Sequence, residues 1–231
     1  MSRAVEVVSS YASSVAFGGA GMRAIVTGEA PEKALELYEF EACPFCRKVR
    51  VALSEMDLDA MVYPCPKNGP RYREEVRRRG GKAQFPYLVD PNTGREMFES
   101  DDIVRYLAET YRGGKVPVSV RLGAVSTGLS MMASAARPTR GGRYRGGRAP
   151  EKALELYSFE ASPYCRLARE ALSELEVPYL LHNVAKGSPR REAFVARSGK
   201  MMVPYLVDPN TGREMFESGD IVRYLNETYG G

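Results

Sequence analysis

Apolar and polar positions alternate through KALELYEFEA, Lys33 to Ala42, where Leu35 and Leu37 fall two apart ahead of an aromatic cluster, and a period of two predicts a strand. The period then changes. In CRKVRVALSEM, Cys46 to Met56, the apolar residues Val49, Ala52, Leu53 and Met56 fall at helical spacing. AMVYPC, Ala60 to Cys65, predicts a second strand, RYREEVRRRG a polar helix ended by Gly80, and PYLVDPNTGREMFE a hairpin turning at Asn92 to Gly94. SDDIVRYLAETY opens on Ser100 as a cap and two first-turn acids ahead of Ile103, Val104 and Leu107, which predicts one more helix. The predicted order is βαβαββα.

That order occurs twice. APEKALELY at Ala30 to Tyr38 returns at Ala149 to Tyr157, 119 positions on, and PYLVDPNTGREMFES at Pro86 to Ser100 returns at Pro204 to Ser218, 118 positions on. So long a period exceeds a solenoid unit and marks duplication of a whole domain. The 231 residues divide into an N-terminal helical extension (1–29), a first domain (30–114), a linker (115–148) and a second domain (149–231). The extension sets Ala4, Val8, Tyr11 and Val15 on one helical stripe, which predicts a packing helix; its Ser/Ala-rich composition leaves the remains of a plastid transit region as the alternative. The linker is apolar from Val116 to Ala136 and Gly/Arg-rich, hence expected to be flexible, from Pro138 to Arg148. Arg121 and two glycines make its apolar half a poor transmembrane span, so it is expected to pack on a domain or to touch a membrane surface.

Composition narrows the classes further. A content of 44% hydrophobic and 27% charged residues fits folded domains and excludes disorder throughout. The net charge of +4, from 33 basic against 29 acidic residues, is too balanced for a nucleic-acid-binding surface over the whole chain. The basic run at Arg71 to Arg79 is expected to be a solvated helix face, with an acidic protein partner as the alternative. Four cysteines are too few for a disulfide scaffold and point to a reducing compartment.

Two of those cysteines stand in CPFC. Cys43 directly precedes a helix, whose unpaired amides and dipole favour an anion. A free thiol titrates near ~8.5 and helix-start CxxC thiols at roughly 3.5 to 7, so Cys43 is expected to ionise readily. Cys46, one turn inward, is placed to resolve a mixed disulfide. A structural or a metal-binding motif is the other reading of CxxC, and for metal no second CxxC stands at zinc spacing. The second copy reads SPYC, with Ser162 and Cys165, and cannot run dithiol exchange. Cys65 reads as a small apolar filler, with a third redox thiol as the alternative, and His182 as a surface or strand-end residue.

CPFC or SPYC, FPYL or VPYL, and FES followed by Asp101-Asp102 or Gly219-Asp220 together resemble the thioredoxin fold in its glutaredoxin and glutathione-transferase N-terminal form, over Pro31 to Tyr111 and Pro150 to Tyr229. The tandem arrangement resembles two-module proteins of plant and algal chloroplasts. The resemblance implies an α/β fold of two thioredoxin-like domains, each a four-stranded mixed sheet flanked by helices, in a chloroplast setting. It implies cis bonds before Pro86 and Pro204, where a trans proline opening a strand is the alternative. It further implies catalysis by Cys43 and Cys46, a degenerate second site at Ser162 and Cys165, glutathione as cosubstrate or ligand, and no metal. Glutathione would lie against Phe85, Pro86, Glu99 and Ser100, and against Val203, Pro204, Glu217 and Ser218. Where such proteins often carry a basic residue for the glycyl carboxylate, Glu39 and Glu41 stand instead, with Lys82 or Arg71 as substitutes. The long all-helical domain that completes an ordinary glutathione transferase is not evident.

Two function classes follow. One is a glutathione-dependent thiol–disulfide oxidoreductase, or a transferase-like thiol transferase, using the first CPFC and acting on glutathione or protein disulfides. The other is a non-enzymatic protein-binding or assembly module, with the linker or helix 71–79 as its contact surface. A fold by itself does not decide between them. For the second domain, Ser162 either donates a hydrogen bond to a bound thiolate or marks a purely structural partner.

Overall fold

The computed structural model describes residues 3–16, 18–121, 127–128, 131–132, 137 and 139–231. Much of the linker's apolar half, expected to pack on a domain, lies outside the described residues. Helix α1 (Arg3–Ala16) precedes module 1, which runs β1 (Leu35–Glu39), α2 (Pro44–Glu55), β2 (Ala60–Pro64), α3 (Tyr72–Gly80), β3 (Tyr87–Asp90), β4 (Arg95–Met97) and α4 (Ser100–Tyr111). A short α5 (Val118–Arg121) leads towards module 2, with β5 (Leu154–Ser158), α6 (Pro163–Leu175), β6 (Tyr179–Asn183), α7 (Arg191–Ser198), β7 (Tyr205–Asp208), β8 (Arg213–Met215) and α8 (Ser218–Tyr229). Each module has the βαβαββα order predicted.

Within a module the first two strands run parallel and the others antiparallel, with Leu37 opposite Val62 on one side and Leu88 on the other. Leu35, Leu37, Val49, Leu53, Ile103 and Leu107 bury together where α2 and α4 cover one face, and Tyr38, Val76, Tyr87 and Cys65 cluster on the face covered by α3. Module 2 repeats both clusters, and its aliphatic core takes in Val62 from module 1. The two four-stranded sheets are in fact one. Strand β2 pairs antiparallel with β6 through Ala60 and Leu181, Met61 and Leu180, and Val62 and Tyr179, giving the order β4-β3-β1-β2-β6-β5-β7-β8. The outer strands are three residues long and carry Arg and Glu, which blunts the open edges.

Joining the sheets brings α2 and α6 together, and the residues enclosed there are charged. Arg50 Nε donates to Glu160 Oε2 at 3.0 Å across the seam, while its other nitrogens meet Glu39 and Glu41. In return Arg169 Nε donates to Glu41 Oε2 at 3.0 Å and its Nη2 lies 2.8 Å from Glu160 Oε2. Arg47 and Arg166 flank the same carboxylates. All seven side chains are buried. Helix α2 is therefore enclosed from Cys46 to Glu55 on both its polar and its apolar sides, where a solvated polar face is the ordinary arrangement. Glu39 and Glu41, expected beside a ligand, are instead interior ion-pair partners. Glu39 has Ser158 as its counterpart in module 2, and there Arg169 Nη1 donates to the Ser158 hydroxyl at 3.1 Å.

The segments ahead of the modules cross over. Residues from Gly21 to Ala24 leave module 1 and pair with Lys186, Ala24 N donating to Lys186 O at 2.8 Å and Lys186 N to Met22 O at 2.9 Å. Residues from Gly141 to Tyr144 do the reverse on Lys67, with Lys67 N to Gly142 O at 2.8 Å and Tyr144 N to Lys67 O at 2.9 Å. The Gly/Arg-rich stretch expected to be flexible is thus a bonded strap, and Arg145 also pairs with Glu174 at 3.0 Å. Two close approaches require glycine. Gly21 and Gly141 have φ of +80° and +69°, and a Cβ on them would stand 2.8 Å from Glu160 Cβ and 2.6 Å from Glu41 Cβ. Their amides donate to Glu55 and Glu174, each at 2.9 Å.

Three arginines of the basic run are paired at the surface of α3, Arg77 with Glu74, Arg78 with Glu75, and Arg79 with Glu96 and Glu36, while Arg73 lies over the Phe85 ring. No helix among the described residues is long and apolar enough to cross a membrane.

Two outcomes test this frame. Burial pushes Glu39 up to about 7 against the attraction of Arg50. Its folded pKa therefore lies above the unfolded value near ~4.3, so its contribution is complete below that value and is lost as pH rises through about 7. Relative to Glu39→Gln, which stays neutral, the parent chain should lose about 3 kcal/mol of unfolding free energy between about pH 5 and 8 in denaturant titrations; parallel pH profiles would contradict the assignment. Gly141→Ala should cost roughly 1–3 kcal/mol in the same measurement, because it forces both a strained φ and a clash; an unchanged midpoint would show the strap to be dispensable.

Candidate thiol site and second cleft

Cys43 is the N-cap of α2. Its extended backbone (φ −72°, ψ 121°) turns the side chain back over the first turn, where Sγ accepts the Cys46 amide at 3.2 Å, and Pro44 follows at the first helical position. Sγ also lies 4.0 Å from the Phe85 carbonyl oxygen, at the Phe85–Pro86 bond, which is cis. Phe85 is held edge-on by Phe40 at 6.0 Å and from above by Arg73 at 4.7 Å. Cys43 is only 4% exposed, with the Phe85 carbonyl against its sulfur.

The four thiols are free and differ in their electrostatics. Burial opposes ionisation of Cys43, but the hydrogen bonds from the Cys46 side chain and backbone outweigh it and hold the pKa below that of an ordinary thiol. Burial and then neighbouring Cys43 raise Cys46 well above it. Burial and the Glu176 charge do the same to Cys65, which packs among Tyr38, Val76 and Tyr87 as the apolar filler predicted. Cys165 is raised by burial, which Ser162 and Arg169 offset only in part. His182 lies on β6 between Asp59 and Glu155, at 3.1 and 3.3 Å, stacked on Tyr157. Among the described residues no group of three or more His, Cys, Asp or Glu is arranged to hold a metal.

The end of the site contributed by α4 differs in detail from expectation. Ser100 is the first helical residue and the cap position belongs to Glu99, which has a positive φ of 69° and makes no capping bond. The same shift applies to Ser218 and Glu217, φ 67°. Glu99 Oε1 instead accepts from Gln84 at 2.5 Å, and Asp101 pairs with the buried Lys48 at 2.5 Å, a contact the sequence reading missed. Of the two basic substitutes, Lys82 sits over the Phe98 ring at 4.9 Å, and Arg71 is engaged at the module seam by Glu176 and the Gly147 carbonyl.

Module 2 reproduces the frame without the outer thiol. Ser162 caps α6, its Oγ accepting the Cys165 amide at 3.2 Å, and the Val203–Pro204 bond is cis. What differs is the cover. Helix α1 packs on α6 through its small face: Ser10 and Ser13 are fully buried, Ser10 Oγ donates to Pro163 O at 2.7 Å, and Arg166 donates to Ser10 O at 2.7 Å. The apolar stripe expected to pack is turned away from that contact. Tyr11 and Val15 line a cleft of about 1020 Å³ that continues past Met22, Ser162 and Tyr164 to Met201, Met202, Val203, Pro204 and Ser218. A stripe flanked by serines suits a helix that approaches closely on one side, and that is the signal by which the sequence could have shown it.

The chain matches none of the curated proteins compared with it. Among solved structures it is similar to the Leishmania protein TDR1, described as a unique trimeric glutathione transferase, with 18% identity over 84% of this chain and 68% of that one and a TM-score of 0.30. The family model for the glutathione S-transferase N-terminal domain matches twice, over residues 37–115 and 156–231. These two stretches hold both thioredoxin-like modules, and by them the chain belongs to the family of the glutathione S-transferase N-terminal domain.

Proposed function

We propose that module 1 is a glutathione-dependent thiol–disulfide exchange site, working as an oxidoreductase or a transferase-like thiol transferase with Cys43 as nucleophile. The observation that carries this reading is the Cys46 amide directed at Cys43 Sγ at the head of α2, which favours the thiolate there while the other three thiols are raised. In the proposed step the Cys43 thiolate attacks one sulfur of a glutathionyl or protein disulfide. The old S–S bond breaks as the new one forms, and the departing thiolate takes a proton from water. A glutathione thiolate then attacks the mixed disulfide and restores Cys43; where the first step left glutathione on Cys43, the product is glutathione disulfide. Cys46 is the other resolving group, but it must first lose a proton from a buried, raised thiol.

Phe85 and Pro86 would align the tripeptide, with Glu99 and Ser100 at its γ-glutamyl end. Val203, Pro204, Glu217 and Ser218 are the same positions in module 2, where the Ser162 hydroxyl stands for the nucleophile. Four free thiols suit a reducing compartment, and the resemblance suggests the chloroplast. The burial of Cys43 favours one other reading, a protein-binding scaffold whose thiols go unused.

Iodoacetamide labelling followed by mass spectrometry should modify Cys43 first, with a rate that reaches half its maximum below the ~8.5 of a free thiol; earlier labelling of Cys165 or Cys65 would refute the assignment. In a glutathione-coupled disulfide reductase assay, Cys43→Ser should lose on the order of 100-fold or more. Cys46→Ser should stay within roughly tenfold of the parent, because glutathione can resolve the mixed disulfide. Full activity in Cys43→Ser would favour the scaffold reading.

A further inference from the structure

Module 2 keeps the backbone of the site and exchanges what lines its mouth. Lys48, Ala83, Gln84 and Asp101 of module 1 correspond to Leu167, Met201, Met202 and Gly219. In module 1 the polar groups satisfy one another, Gln84 on Glu99 and Lys48 on Asp101. In module 2 those partners are gone, and the space beneath α1 is bounded by Tyr11, Val15, Met22, Tyr164, Met201 and Met202. Tyr11 and Val15 are 55% and 67% exposed, although they face the cleft. Apolar side chains left uncovered in one concave place are what a ligand site presents before it is filled.

This apolar cleft has one polar end. Ser218, 2% exposed, lines it, and its hydroxyl has no hydrogen-bond partner. It opens α8, a helix of twelve residues; the Asp220 amide already donates to the Glu217 carbonyl at 3.0 Å, and the Ser218 and Gly219 amides ahead of it are the ones placed to attract an anion. A buried hydroxyl left without a partner is costly, so a ligand that supplies an acceptor there gains from it. Lys186 and Glu217 also line the cleft, one cation and one anion. Ser218 and the helix end are the groups placed to meet the head group.

We propose that this cleft binds an amphipathic carboxylate with a long unbranched apolar tail, of the fatty-acid class. The carboxylate meets Ser218 Oγ and the first amides of α8, and the tail lies along Met201, Met202, Met22, Val15 and Tyr11. Binding is non-covalent and needs no thiol, which fits Ser162 standing where module 1 has Cys43. The inference is independent of the thiol chemistry proposed for module 1. Glutathione is polar along its length and would leave the apolar walls uncovered.

Calorimetric titration of the whole chain with octanoate, decanoate and dodecanoate tests this, beside dodecan-1-ol, glutathione and S-hexylglutathione. Each added pair of methylenes should tighten binding about tenfold, and dodecanoate should bind at least ~10-fold more tightly than dodecan-1-ol. Ser218→Ala should abolish that preference for the carboxylate. Val15→Asp and Met202→Gln should each weaken dodecanoate by about tenfold. Both positions lie at the surface or half-buried, and Met202→Gln installs the residue module 1 carries, so a folding failure in the first leaves the second decisive. Gln84→Met should change nothing. Affinity independent of chain length, or equal affinity for acid and alcohol, would overturn the proposal. Tighter binding of S-hexylglutathione than of dodecanoate, lost in Ser218→Ala, would also overturn it and assign the cleft to a tripeptide thioether.

Discussion

The structure depends on a reciprocal exchange of charge across the buried seam, from an arginine on one module's helix to a carboxylate in the other module's loop. Arg50 needs Glu160 from module 2, and Arg169 needs Glu41 from module 1. An ion enclosed without a partner costs several kcal/mol, whereas three residue pairs of β-ladder across the seam contribute little alone. Separating the modules would therefore strand charges on both faces, and any slip of β2 along β6 would misplace every guanidinium at once. Buried ion pairs are often no more stabilising than well-packed apolar residues of similar volume. What the charges add is a single allowed register, and the rest of the molecule is positioned from that.

The straps follow from the same geometry. Glu41 and Glu160 fill the ends of the charged layer, so a chain passing over them must come within a Cβ's distance, and only glycine at 21 and 141 allows it. Passing there carries each strap onto the opposite module, to Lys186 and to Lys67. Helix α1, which precedes module 1 in sequence, consequently settles on α6 of module 2. Its serine face matches the close approach to Pro163 and Arg166, and its apolar stripe is left to form one wall of a cleft. The cleft is thus a product of module pairing and could not exist in either half alone.

The residues themselves explain why some of this was legible and some was not. Strand and helix periods at Leu35, Leu37, Val49 and Leu53 report local geometry, and the elements lie where those periods place them. CPFC and the two X-Pro pairs are also local, so the thiol loop and its neighbouring strand could be read directly. Glu39, Glu41, Arg47 and Arg50 misled because charge within one module predicts solvent; only a second module bearing the complementary set makes them interior. Tyr11 and Val15 misled in the opposite sense, since an apolar stripe predicts a buried contact and here it borders an open space. The offset of one residue between Ser100 and Glu99 at the helix cap reflects the positive φ at Glu99, which no propensity of glutamate foreshadows.

Duplication doubles the folding requirement and leaves the chemistry free to diverge. Both modules must keep the arginines and the carboxylates of the seam, because each is the other's counterion. Neither must keep its thiol for that purpose: Ser162 accepts the Cys165 amide at the same 3.2 Å at which Cys43 accepts the Cys46 amide, so the helix is capped equally well. Serine in place of cysteine in module 2 thus costs the fold nothing through the cap. Even Ser158 in place of a fourth glutamate is tolerated, since its hydroxyl still meets Arg169. That substitution removes from Cys165 the acidic neighbour that helps raise Cys46, yet burial keeps Cys165 protonated. The two modules diverge instead in the walls of the open cleft, whose side chains take no part in the ion pairs of the seam.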